Sequence, residues 1–199
     1  MAEPIADAAL DQLFRAARSY KHWQKKAVPE RLIRAVYDLT RLGPTSANMC
    51  PARFVWLGSD KAKERIKPHL HPNNVDQVLS APWCVIIAYD YNFREKFTKL
   101  LPEYPFLKDY FADPKIAVPN AIRNGTLQGA YLMLAARALG LDCGPMSGFN
   151  PAGVDKEFFG DDESAEWHSD FICSIGYGST ENLAPRYPRL DFEDVNRVL

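Results

Sequence analysis

The chain has 199 residues, of which 47% are hydrophobic and 25% charged, and its formal net charge is −1. Such proportions exclude a disordered or collagen-like chain. With lysines and arginines scattered rather than gathered in a block, they also argue against nucleic acid or an anionic membrane as a partner.

The opening "MAEPIADAAL" lacks the basic-then-apolar order of a signal peptide. "ADAALDQLFRAARSY" then sets Leu10, Leu13, Phe14 and Ala17 at helical spacing and predicts a helix with one buried face. "PERLIRAVYDLTRLG" predicts a second helix, with Pro29 in its first turn, Leu32, Ile33, Val36 and Leu39 on its inner side and Gly43 at its end. After a polar turn, "RFVWLG" reads as a strand, "DKAKERIKPHL" as a charged helix broken at Pro68, and "NNVDQVLSA" as a short helix. The unbroken apolar run "WCVIIAY" at 83–89 is too short to span a membrane and fits a central strand buried on both faces. Residues 91–119, rich in proline and aromatics, read as turns and short helices forming an excursion or lid. "NAIRNGTLQGAYLMLAARALG" gives the longest helix, apolar on most of its circumference and closed by Gly140. A short strand at 141–143, a helix from Pro151 to Phe159, a strand "FICSIGYG" and a tail with spaced apolar residues complete the chain. The expectation is one α+β domain over 1–199, with a tail suited to wrapping a partner subunit.

Four separated cysteines (Cys50, Cys84, Cys143 and Cys173) without a C-x-x-C pair signal neither a disulfide framework nor structural zinc, which fits the cytoplasm. His69 and His71 in "HLHP" lack a nearby third ligand and fit a solvated turn better than a metal site.

Four stretches carry chemistry. In "GPTSANMCPARF" at 43–54, Thr45, Ser46 and Asn48 crowd three hydrogen-bonding side chains behind Pro44, more than a plain connector needs. In "ARSYKHW", Arg18 and Lys21 flank Ser19; two cations around a hydroxyl suit a phosphate, although such a trio is more often an ordinary polar helix end. In "APRYPRLDF", prolines stiffen the chain around Arg186 and Arg189, giving an anion site or an exposed basic turn. In "ALGLDCGPMSGF", Gly144, Pro145, Met146, Ser147 and Gly148 form a loop whose small residues let backbone approach a flat ligand, or simply join strand to helix. No G-x-G-x-x-G after a strand, no P-loop and no G-x-S-x-G elbow is present.

Taken in order, these pieces resemble the nitroreductase family of FMN-dependent reductases. That family pairs an N-terminal Arg/Ser/Arg phosphate motif with P-[ST]-S-x-N-x-Q-P-W-x-F, which stands here as Pro44 to Phe54. "LSAPWCVIIAY", "GAYLMLAARALGLDCGPMSGF", "ICSIGYG" and "PRYPRL" continue the likeness over nearly the full length, and "GPTSAN", "PAR" and "GPMSGF" look most like the malonic semialdehyde reductase subgroup of pyrimidine degradation. The resemblance implies a homodimer with two FMN sites at its interface, NADH or NADPH as reductant, an antiparallel-type sheet flanked by helices and an exchanged C-terminal segment. It places Arg18, Ser19 and Lys21 near the FMN phosphate and ring edge, with Arg186 and Arg189 completing the phosphate site. Asn74 and Gln77 fall at the ring's polar edge, Pro145, Met146, Ser147 and Gly148 near N5, and Pro44, Thr45, Ser46 and Asn48 arrive from the second subunit. The chain departs from the family where Ala17 replaces an Arg, Cys50 and Ala52 replace Gln and Trp, Gln77 stands where some members have Lys, and Ser147 where many have Glu. That less flat, less negative pocket suits a small carboxylate-bearing aldehyde. A broad nitro or quinone reductase and a flavin-binding homologue without turnover are the alternatives. Arg53 and Arg123 each either hold a substrate carboxylate or pair with an acidic neighbour.

Overall fold

The computed structural model describes residues 3–199. Met1 and Ala2, the start of the segment read for a leader, lie outside the described residues. A short helix α1 (Asp7–Leu10) runs into a π-helical turn over 11–15. This is shorter than the predicted helix, and its stripe is not buried: Leu10, Leu13 and Ala17 are half-buried and Phe14 is 52% exposed. Then come α2 (Glu30–Thr40), β1 (Ala52–Leu57), α3 (Asp60–Ile66), α4 (Pro72–Ser80) and β2 (Trp83–Asp90). The excursion holds α5 (Phe97–Leu100) and α6 (Phe106–Tyr110), and α7 (Pro114–Ala138) leads to β3 (Asp142–Met146). Last are α8 (Pro151–Phe158), β4 (Trp167–Gly176) and α9 (Phe192–Val195) in the tail.

The four strands form one antiparallel sheet in the order β1-β2-β4-β3, so β2 is central as its apolar run implied. Alternation divides its side chains between two faces. Val85 and Ile87 join Cys143, Cys173 and Ile175 under α2 and α7. Cys84, Ile86 and Ala88 join Ile172 beneath α3, α4 and α8. A bulge between Ile87 and Ala88 shifts the pairing with β4 by one residue. Helix α7 lies close on the sheet because its inner face is small: a Cβ at Gly129 would sit 2.6 Å from the Phe171 ring.

Several expectations are corrected. Leu39 is 42% exposed, and Thr40 is buried in its stead with its hydroxyl donating to Val36 O at 2.8 Å. Pro29 sits just before the first helical residue of α2 rather than within its first turn. Helix α7 begins at Pro114, capped by Asp113, and continues through Pro119, whose missing N–H costs a single bond near the start of a 25-residue helix. Only one of its faces is buried; Ile122, Leu127 and Tyr131 are open. The excursion is packed around its own aromatic cluster, where Phe93 and Phe111 meet edge-on at 5.2 Å. Strand β3 extends through Gly144, Pro145 and Met146, which were read as loop; at the sheet's edge a proline forfeits no ladder bond to an outer neighbour.

Candidate functional site

The segment after the π-helical turn runs extended along the outer edge of β3. Ser19 bridges Cys143, Tyr20 N donates to Cys143 O at 3.0 Å, and Trp23 bridges Gly178. Gly144 permits this approach, since a Cβ there would stand 2.2 Å from Tyr20 O and 2.4 Å from the Gln77 amide nitrogen. Arg18, Ser19 and Lys21 thus line a cleft of about 560 Å³ whose other wall is the tail, including Arg186 and Arg189. The two walls are clasped: Arg18 donates to Ala184 O, and Arg186 donates to Arg15 O at 2.9 Å and to Ala17 O at 2.5 Å. Arg189 donates to Tyr187 O and Pro188 O within its own turn.

One residue of this cleft escaped the sequence reading. Arg137, in the last turn of α7, also lines it, and there a cation is expected merely to complement the helix dipole. Glu181 is the acid among the described lining residues, against five cations. Below the rim, burial pushes the Asp142 carboxyl above its ordinary value, opposed by the Gly178 N–H at 2.8 Å and by Arg137. Burial first and Asp142 second push the Tyr20 phenol up, against the pull of Arg18.

Asn74 and Gln77 lie on α4 against the other side of β3. Gln77, 5% exposed, donates to Gly144 O at 2.9 Å, and Asn74 donates to Gly148 O at 2.9 Å, so both side chains fix the course of 144–148. Helix α4 is itself pinned by a residue its sequence did not signal. Lys63 is buried, and its ammonium donates to Leu79 O and Ala81 O, both at 2.9 Å, satisfying carbonyls at the α4 C-terminus. Its sequence context, a charged helix face, gives no sign of burial. His71 caps the start of α4, and among the described residues no group of His, Cys, Asp and Glu is arranged for a metal ion.

The 44–48 turn stands apart from this assembly. Its backbone is strained, with Ala47, Asn48 and Cys50 at φ of 49°, 47° and 40°, a region that costs non-glycine residues about 1–2 kcal/mol each. Ser46 N donating to Asn124 Oδ1 at 2.8 Å, Asn48 Nδ2 to Leu100 O at 2.8 Å and Cys50 N to Thr45 Oγ1 at 3.2 Å hold it in place. Strain held by so many bonds is a mark of a functional turn. Pro44, Ser46 and Asn48 are exposed on it. The turn touches α7 at Asn124 and the cleft touches α7 at Arg137, thirteen residues on, which at 1.5 Å per residue is about 20 Å along the helix. One chain brings 18–21 and 186–189 together in the cleft and sets 74–77 against 144–148, joined to the first pair where Gly144 meets Tyr20; neither 74–77 nor 144–148 lines the cleft itself, and the 44–48 turn stands apart from both. Arg53 pairs with Asp90 at 2.5 Å, the second of its two sequence-stated options, and Arg123 is exposed.

The model of the family described as "Nitroreductase family" matches residues 2–177. A Caulobacter sp. (strain K31) protein, provisionally named an NADH dehydrogenase/NAD(P)H nitroreductase, is 50% identical over 192 residues, covering 96% of this chain and 97% of its own. A Rhodopseudomonas palustris (strain TIE-1) protein of the same name is 48% identical over the whole of both chains. Among solved structures, an Exiguobacterium sibiricum nitroreductase in complex with FMN superposes with a TM-score of 0.85 at 19% identity, covering 100% of each chain. At that identity the likeness speaks for the fold.

Proposed function

This chain belongs to the nitroreductase family, and from that premise we propose that it is an FMN-dependent NAD(P)H oxidoreductase working as a homodimer. The observation that carries the reading is the cleft beside β3, where Arg18, Lys21, Arg186 and Arg189 face one another around Ser19 with a single acid on the wall. That donor set fits a phosphate monoester, which carries close to two negative charges and accepts hydrogen bonds on three oxygens.

When bound, FMN supplies hydride exchange between a reduced nicotinamide and an acceptor, so the protein needs no nucleophile of its own. Arg18, Arg186 and Arg189 would offset the charge of the phosphate and Ser19 would donate a hydrogen bond to it. Lys21 would offset negative charge at the polar edge of the ring, and Asn74 and Gln77, bonded to Gly148 O and Gly144 O, would keep 144–148 in register beside it. Pro145, Met146, Ser147 and Gly148 would border the reacting edge, with Ser147 and Gly148 small enough to leave room for nicotinamide and acceptor to occupy the same place in turn. Pro44, Thr45, Ser46 and Asn48 would close the site from the second subunit, which fits a turn that meets α7 at Asn124, thirteen residues before the helix reaches the cleft of its own chain at Arg137. The exposed Tyr37 on α2 and Leu42 in the turn after it, with Leu127 and Tyr131 on α7, would supply the apolar surface for that pairing, and the apolar tail side chains from Tyr187 to Val198 would reach over the partner.

For the acceptor we favour malonic semialdehyde, reduced to 3-hydroxypropanoate with one hydride from NAD(P)H and one proton from solvent. Ser147 in place of Glu and Ala52 in place of Trp leave a pocket that tolerates a small carboxylate. The relatives' nitroreductase names favour the second reading, a broad nitro or quinone reductase. Anaerobic steady-state rates across semialdehydes, nitroaromatics and quinones decide between them. A kcat/KM for malonic semialdehyde above that for nitroaromatics is expected, and the reverse order overturns the choice of acceptor.

A further inference from the structure

We infer that Arg137 is a phosphate-binding residue of the flavin site, and that it gives the site its preference for FMN over riboflavin; this rests on the FMN reading above. Its position follows from the end of α7. Gly140, at a φ of 77°, closes the helix, and Gln12 Nε2 donates to Arg137 O at 2.6 Å, tying this last turn to the segment that leads into Arg18. Arg137 reaches the same cleft as Arg18, Ser19 and Arg186 from a third direction.

What sets Arg137 apart is a buried guanidinium donor left without a partner. Arg18 and Arg186 donate to carbonyls across the cleft and hold its walls together, and Arg189 donates within its own turn. Lys21 is exposed, so water serves its ammonium. Arg137 makes one long contact, Nη1 to Leu13 O at 3.4 Å, while its Nε is buried without a hydrogen-bond partner. A buried donor of a charged group left unpaired is costly, and native structures keep few of them. The nearby Asp142 carboxyl accepts from the Gly178 N–H at 2.8 Å, and among the described residues it forms no ion pair with Arg137. An anion in the cleft offers the planar fork two acceptors at once, the geometry in which arginine binds phosphate best. Arg18 and Arg186 shape the cleft while lending it their charge, and Arg137 adds to the phosphate site a guanidinium that clasps neither wall.

The alternative is that Arg137 serves only to offset Asp142. Arg137→Gln and Arg137→Lys, each titrated with FMN and with riboflavin and followed by flavin fluorescence, separate the two. The ratio of the affinities within one protein sample is insensitive to a general loss of stability. Arg137→Gln is expected to weaken FMN about tenfold or more while leaving riboflavin within about twofold, and Arg137→Lys, which keeps the charge but not the fork, is expected to fall between. In the wild-type protein the Arg137 Nε–H resonance, assigned by its loss in Arg137→Lys, is expected to shift on adding FMN. An unchanged FMN-to-riboflavin ratio in Arg137→Gln, or a resonance that ignores bound FMN, overturns the inference and leaves the FMN reading standing. A wild-type protein that binds neither flavin overturns both.

Discussion

Replacing Gly144 by alanine tests how the phosphate-side segment is hung on the sheet. The new Cβ would lie 2.2 Å from Tyr20 O against a floor of 3.0 Å for real contacts, so Tyr20 must retreat by about 0.8 Å. The Gln77 amide, 2.4 Å from the same Cβ, must also move. Neither move is free, because Tyr20 N is bonded to Cys143 O at 3.0 Å and Gln77 to Gly144 O at 2.9 Å. Losing two hydrogen bonds at about 1 kcal/mol each, with overpacking at about 1–3 kcal/mol, gives a destabilisation of about 3–5 kcal/mol. Arg18, Ser19 and Lys21 move with Tyr20, so FMN affinity is expected to fall about tenfold or more in protein that is still folded. Urea midpoints and flavin titration measure the two effects, with Gly160→Ala as a control whose Cβ would meet nothing closer than Lys156 O at 3.3 Å. Wild-type stability in Gly144→Ala refutes the packing argument. Lost stability with unchanged flavin affinity refutes the link from β3 to the cleft.

Three further outcomes follow from the same structure. Lys63→Ala leaves the Leu79 and Ala81 carbonyls without their donor and is expected to cost about 2–3 kcal/mol by denaturant unfolding, whereas a change under about 0.5 kcal/mol would make Lys63 an ordinary surface residue. Asp90→Asn strands the largely buried Arg53 and is expected to cost about 3 kcal/mol, with a double substitution of both partners by apolar residues costing less than that single change. Burial raises the folded-state Asp142 carboxyl above its ordinary value of 3.8, so folded protein binds its proton where unfolded protein has released it. The associated stability is present below that ordinary value and is lost as pH rises through the raised one. Melting temperatures of wild type minus Asp142→Asn should therefore decline from pH 4 upward, and a flat difference across that window contradicts the assignment.

Much of this architecture is legible in the sequence because hydrophobic periodicity reports burial within one chain. The uninterrupted "WCVIIAY" run marks the central strand, and Ile33 and Val36 mark the inner face of α2. The same signal misleads where apolar residues face outward: Phe14, Leu39 and Tyr131 belong to stripes that a single chain leaves open. Local chemistry misleads at β3, because Gly144 and Pro145 ordinarily end strands and are tolerated here only at a sheet edge. The cationic residues flanking the cleft stand out as short motifs, 168 positions apart between Arg18 and Arg186, and their meeting is a product of the fold alone. Arg137 and Lys63 carry no sequence mark, since each sits where a helix surface would put a lysine or arginine in any case.

The most direct measurement is an anaerobic titration of the protein, reconstituted with FMN, against NADH and NADPH while the visible absorption of the flavin is followed. The account predicts one FMN held per chain, stoichiometric bleaching by one or both nicotinamides, and return of the colour when malonic semialdehyde or a nitroaromatic is added. A protein that takes up no flavin, or one whose flavin stays oxidised under excess reduced nicotinamide, would contradict it.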